Sequence, residues 1–151
     1  MKDYGLIREA YSQVEKYYIK IIDNAVFHKN YVEHSKFIKL SRFNEYAYFV
    51  LFWGQFESFI NDKALEIEGD YFNEIGFMLR VQLSVLPTHE YYSEIDQYYY
   101  WRCELAHGRI SVFPELTLPT IFDKIEEITE AINNNPLPLG ECFNELFKDE
   151  E

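Results

Sequence analysis

The chain has 151 residues, a length that suits one domain with a single buried core, and the expectation is one unit over 1–151. Hydrophobic residues make up 48% and aromatics 19%, with only six glycines and five prolines, which excludes a disordered or turn-rich β protein and favours packed helices. The formal net charge of −12 excludes a surface that coats nucleic acid generally, because such binding needs cations that displace counterions from phosphates; any nucleic-acid role has to be local.

The first element is a long helix over about residues 3–28, on which Ile7, Ala10, Tyr11, Val14, Tyr17, Tyr18, Ile21, Ile22 and Ala25 draw one apolar stripe. The stretch "HKNYVEHSK" breaks the periodicity and reads as a connection. Ser41 is the expected N-cap of a second, central helix through Phe49, Phe52, Trp53, Phe56, Phe59, Ile60 and Ala64, ended by Gly69. Asp70 caps a third helix through Phe72, Ile75, Met78, Leu79, Leu83 and Leu86, with Pro87 as its boundary and Thr88 restarting the chain. A fourth spans about His89 to His107, with Gly108 placed for a left-handed C-cap. After a loop with two prolines, Thr120 and Asp123 form a capping pair for a fifth helix through Ile121, Ile125, Ile128 and Ile132. The tail "ECFNELFKDEE" reads as either a last short turn of helix over the bundle or, over its acidic part, about 144–151, a fraying end. With no repeat and no strand-like alternation, the fold class is all-α, an antiparallel bundle of four to five helices.

Cys103 and Cys142 lack CxxC spacing and fit reduced thiols in a cytosol rather than a disulfide scaffold. The N-terminus has no apolar core of signal-peptide type, and the longest apolar run, "YAYFVLFW", is far shorter than the ~20 residues that span a bilayer. A cytoplasmic protein without a membrane anchor is expected. His89-Glu90 does not continue to HExxH, and His28 and His34 are six apart, so no zinc site is expected; nor is there a glycine-rich phosphate loop or a GxSxG elbow.

The chemistry concentrates in "YYYWRCELAHGR". At 100° per residue, Tyr91, Ile95, Tyr98, Tyr99, Arg102, Leu105 and Ala106 share one sector, with Arg102 near its centre. Arginine stays charged, so it needs a carboxylate such as Glu57 on the central helix, an anionic ligand or a wet cleft beneath it. His107 lies about 140° around and ~7.5 Å along the axis, in the last turn, where exposed carbonyls favour a cation. Histidine there either caps the helix or moves protons.

The segment "RCELAHG" at a helix end, preceded by a helix carrying "FWGQFESFIND", resembles the HEPN family of small α-helical ribonuclease domains. The specific likeness is the R-x4-H pattern of Arg102 and His107 with Gly108 following, and the "QFESFIND" run from Gln55 to Asp62. The resemblance implies an endoribonuclease that needs no metal or cofactor, with Arg102 and His107 catalytic and the site completed in a homodimer; Glu57, Cys103 and Arg109 are the expected supporting or substrate-binding residues. It implies RNA as substrate, an antitoxin or companion protein as partner, and a toxin or antiviral-defence setting. Where the family usually has a polar residue after the arginine, this chain has Cys103, and the position two after the histidine is Arg109. Arg109, with Lys36, Lys39 and Arg42, is expected to add a local basic rim. The other reading is a non-catalytic HEPN-like dimerisation module in which Arg102 is a structural ion pair.

Overall fold

The computed structural model describes residues 3–68, 76–85, 91–109 and 117–134. These form five helices and no strand: α1 (Tyr4–Phe27), α2 (Tyr31–Glu68), α3 (Phe77–Val85), α4 (Tyr92–Ala106) and α5 (Leu118–Asn133). The all-α expectation holds in that form. None of the described helices is long and apolar enough to cross a membrane. Gly69 and Asp70, the front of the third expected helix, Pro87, His89, Cys142 and the acidic tail lie outside the described residues.

The centre is α2, a single helix of 38 residues, about 57 Å long, that touches all four others. Its Phe49, Phe52, Trp53, Phe56, Ile60 and Ala64 are completely buried, and Phe59 nearly so, as their spacing predicts. Around them pack Val81 and Phe77 of α3, Ile95 of α4, and Leu118, Phe122, Ile125 and Ile128 of α5. The Phe52 ring is sandwiched between Tyr4 and Phe122, with centroids 4.6 and 4.0 Å away. Arg8 ties α1 to α5 through Glu126, at 2.9 and 3.0 Å, and Asp123, at 2.8 Å, with its guanidinium over both Phe52 and Phe122.

Two expected boundaries change, and so does one expected face. Ser41 lies inside α2, ten residues after Tyr31, because Asn30 and Glu33 make the cap: Glu33 N donates to Asn30 Oδ1 at 3.2 Å, and Asn30 Nδ2 donates back to Glu33 Oε2 at 3.0 Å. The expected connection therefore shrinks to His28–Asn30, with Lys29 left-handed at φ 55° and Asn30 N donating to Ala25 O at 2.9 Å. Helix α5 begins at Leu118, with Thr117 as N-cap and Pro119 in its first turn, so Thr120 and Asp123 are helical and not its entry. Among the described side chains of α3, Phe77 and Val81 are buried and Leu79 is exposed.

The α1 stripe is shallower than its periodicity predicts. From Ser12 to Tyr48, Ala25 alone is buried, and Tyr17 remains 61% exposed. Toward their shared turn α1 and α2 pack mainly on each other, and two helices cannot enclose a core.

Candidate functional site

Helix α4 ends as "HGR" dictates. Gly108 adopts φ 71°, the left-handed region where a side chain is strained, Gly108 N donates to Leu105 O at 3.0 Å, and Arg109 N donates to Glu104 O at 3.0 Å. This closure leaves His107 as the exposed C-cap residue. Its ring makes no hydrogen bond or ion pair among the described residues.

Arg102 sits five residues earlier, its side chain 37% exposed, with Nη2 at 3.6 Å from Oε2 of Glu57. The centre of the buried stripe passes instead through Ile95 and Tyr98, and the exposed Ala106 falls out of it. Arg102 therefore stands at the wet edge of the core. Its contact with Glu57 is an ion pair too long for a direct hydrogen bond. Cys103, half-buried and a free thiol, lies beside Tyr99, whose ring stacks on Phe77 at 4.9 Å. Burial first, then the charge and hydrogen bond of the Cys103 thiol, raise the Tyr99 hydroxyl above its ordinary pKa; Arg102 works the other way and Glu57 adds to the rise. Tyr99, Arg102 and Cys103 of α4 thus form one cluster with Glu57 of α2.

One turn after Glu57, Asn61 accepts a hydrogen bond from Arg80 Nη1 at 3.0 Å. Successive turns of α2 thereby hold two guanidinium groups, those of Arg102 and Arg80. Glu57 and Asn61 also line an open groove of about 480 Å³ with Gly54, Ser58, Asp62 and Leu65. Arg80 escaped the sequence reading because its partner is an asparagine nineteen residues away. The readable signal is that Glu57 and Asn61 are a helical i, i+4 pair.

Arg109 does not form a free basic rim. Its Nη1 donates to Glu104 at 3.1 Å and lies 3.5 Å from the second carboxylate oxygen. Glu104 is a buried carboxylate that the sequence reading passed over, and the glycine cap folds Arg109 back onto it. No hydrogen bond or ion pair joins Arg102 to His107 among the described residues. One chain therefore presents a guanidinium pair and an imidazole that point to a shared ligand only if something brings them together.

No protein-family model, curated protein or solved structure matches this chain.

Proposed function

We propose that this protein is a metal-independent endoribonuclease of HEPN type that works as a homodimer, in the cytoplasm, as a toxin or defence effector held in check by a companion protein. The observation that carries the reading is the pair of guanidinium groups, Arg102 on Glu57 and Arg80 on Asn61, held on adjacent turns of α2 beside the helix that ends in the exposed His107. Guanidinium forks bind phosphate oxygens in two-pronged fashion, and a phosphate dianion or diester competes well with a carboxylate held at 3.6 Å.

The reaction is transesterification. The RNA 2′-oxygen attacks phosphorus, the bond to the 5′-oxygen breaks, and a 2′,3′-cyclic phosphate forms. One histidine takes the proton from the 2′-hydroxyl and a second gives a proton to the leaving 5′-oxygen, while the guanidinium groups bind the charge that builds on the phosphoryl oxygens. After the step the two imidazoles have exchanged protonation states, and water restores them. Each chain supplies one such histidine, so the pair comes from two copies.

The Arg102–Glu57 contact also favours a second reading, a non-catalytic dimerisation module in which that ion pair is structural. Incubation of the purified protein with varied single-stranded RNAs in EDTA separates the two. Chelator-resistant cleavage leaving cyclic phosphate ends, lost in Arg102→Ala and in His107→Ala with both still folded, is the expected result. Absence of cleavage, or cleavage that survives both substitutions, leaves the interaction module standing.

A further inference from the structure

The acidity of the chain is not evenly spread. Residues 16–42 hold six of the fourteen Lys and Arg and only two of the twenty-six Asp and Glu, a net +4, and the remainder carries −16. This segment is the second half of α1, the turn and the start of α2, the hairpin that encloses no core. The two populations of cations behave differently. Arg8, Lys63, Arg102, Arg109 and Lys124 are each engaged by a carboxylate, and Arg80 by Asn61. On the hairpin, Lys16, Lys20, Lys29, Lys36 and Lys39 are exposed, and among the described residues none of them is in an ion pair. Five lysines left unneutralised in a chain with a twelve-charge acidic excess are available for an outside anion.

Aromatic rings stand among them. A groove of about 890 Å³ runs between α1 and α2, lined by Tyr17, Lys20, Ile21, Asn24, Phe27 and Phe37. Tyr17 is 61% and Phe27 81% exposed, and Lys36 holds its ammonium 5.8 Å over the ring of Phe37. Asp23 and Glu33 also reach the groove, and Glu33 is engaged with Asn30 in capping α2. Lys16 stands one turn before Lys20 on the same face of α1.

We infer that the α1–α2 hairpin is a docking arm for single-stranded RNA, with bases stacked on Tyr17 and Phe27 and phosphates on Lys16, Lys20, Lys36 and Lys39. Flat rings interleaved with unpaired cations suit a strand whose every base has a π-face and whose every linkage has a charge. A protein partner binding through apolar area alone has no use for lysines, since lysine is depleted at such interfaces. The choice of RNA over DNA rests on the ribonuclease reading; the binding of a single strand does not.

The test is fluorescence anisotropy of a labelled single-stranded RNA of about 12 nucleotides, inside the ~4–16-nucleotide range of such sites. It uses the full chain carrying His107→Ala to prevent turnover. Four phosphate contacts predict a slope of about −3 in log affinity against log salt, or roughly 50-fold between about 50 and 200 mM. Combined Lys16→Glu, Lys20→Glu, Lys36→Glu and Lys39→Glu is expected to weaken binding at least about tenfold and to flatten that slope, while the four Lys→Arg changes preserve both. Tyr17→Ala and Phe27→Ala are each expected to weaken it about fivefold or more. All these positions are exposed, and circular dichroism checks the fold. Binding unchanged in the charge-reversed chain overturns the proposal, as does no salt-dependent binding at all. Competition by polyglutamate equal to that by RNA assigns the arm to an acidic protein, and equal affinity for DNA of the same sequence overturns the RNA assignment. Cleavage in EDTA is read on the wild-type chain and binding on the His107→Ala chain, so a failed catalytic site and a failed arm give different results.

Discussion

Arg102→Ala separates a structural cation from a working one by magnitude. Glu57 Oε2 lies 3.6 Å from the guanidinium, a gross attraction of about 4–5 kcal/mol at an effective dielectric near 20 and about 1 in water. With 37% of the Arg102 side chain and 26% of that of Glu57 exposed, solvent screening and side-chain ordering bring the net worth of the pair down to about 0.2–1 kcal/mol. The substitution is therefore expected to lower unfolding stability by about 1 kcal/mol or less, with a small shift of the urea midpoint at unchanged slope. Removal of a donor that meets the charge developed in the reaction costs about 100- to 1000-fold in turnover. Glu57→Gln is the companion: it releases Arg102 and is expected to lower KM for RNA while leaving stability within the same ~1 kcal/mol. Urea unfolding and RNA cleavage by the same preparations read both quantities. A loss of about 3–5 kcal/mol in Arg102→Ala, the size seen when a fully buried pair is broken, would refute the wet-edge placement and make the ion pair the purpose of the residue.

Other outcomes follow from the core and the helix ends. Phe52→Ala removes the ring between Tyr4 and Phe122 at a fully buried position and is expected to cost about 3–5 kcal/mol in urea unfolding, against which a loss under about 2 would show that the site collapses freely. Gly108→Ala meets nothing within 4 Å, so its expected loss of about 1–2 kcal/mol comes from φ 71° alone, and a neutral result would contradict the left-handed cap; Lys29→Gly, at φ 55°, is expected to change stability in the opposite direction. Burial, opposed by the Thr129 hydrogen bond and helped by Glu126, pushes the Tyr4 hydroxyl up to about 12, and burial also raises Tyr11. Unfolding returns these phenols to about 10, so the folded state keeps protons that the unfolded state loses, and stability that is complete below pH ~10 falls as pH rises toward ~12. Urea midpoints at about pH 8 and pH 11 measure this, and a Tyr4→Phe chain that falls as steeply as the parent would remove Tyr4 from the account.

The parts of the fold legible in sequence are those where one helix meets several others. On α2 the run from Phe49 to Ala64, and on α5 Ile121, Ile125, Ile128 and Ile132, repeat at helical spacing because a single face meets the core along their whole length. The start of α2 was illegible for the same reason reversed. Before Phe49 its apolar residues pack mainly on α1, the stripe weakens at "HKNYVEHSK", and a change of partner looks like the end of a helix; the Asn30–Glu33 cap, read by its own spacing, marks the true beginning. At the candidate site, Arg102 with Glu57 and the Gly108 cap were readable, since each follows from burial or backbone rules applied within one or two helices. Arg80 and Glu104 were not, because their roles depend on how α3 lies on α2 and on how Arg109 turns back after the cap.

The unbroken helix from Tyr31 to Glu68 also has a mechanical consequence for the proposed function. Lys36 and Glu57 lie on it 21 residues apart, about 30 Å along a rod without proline, so the basic arm is held at fixed distance and direction from the guanidinium pair. A stacked strand advances about 3.4 Å per nucleotide, and roughly nine nucleotides cover that span. An RNA shorter than this engages the arm or the guanidinium pair but not both, and loses the gain in effective concentration that tethering gives. Cleavage efficiency is therefore expected to rise steeply with substrate length up to about nine nucleotides and then level off, with the rise confined to KM. The charge-reversed arm should abolish the length dependence while leaving the turnover of a short, saturating substrate unchanged. A wild-type enzyme indifferent to length would place substrate binding entirely at Arg102 and Arg80 and leave the arm to another partner.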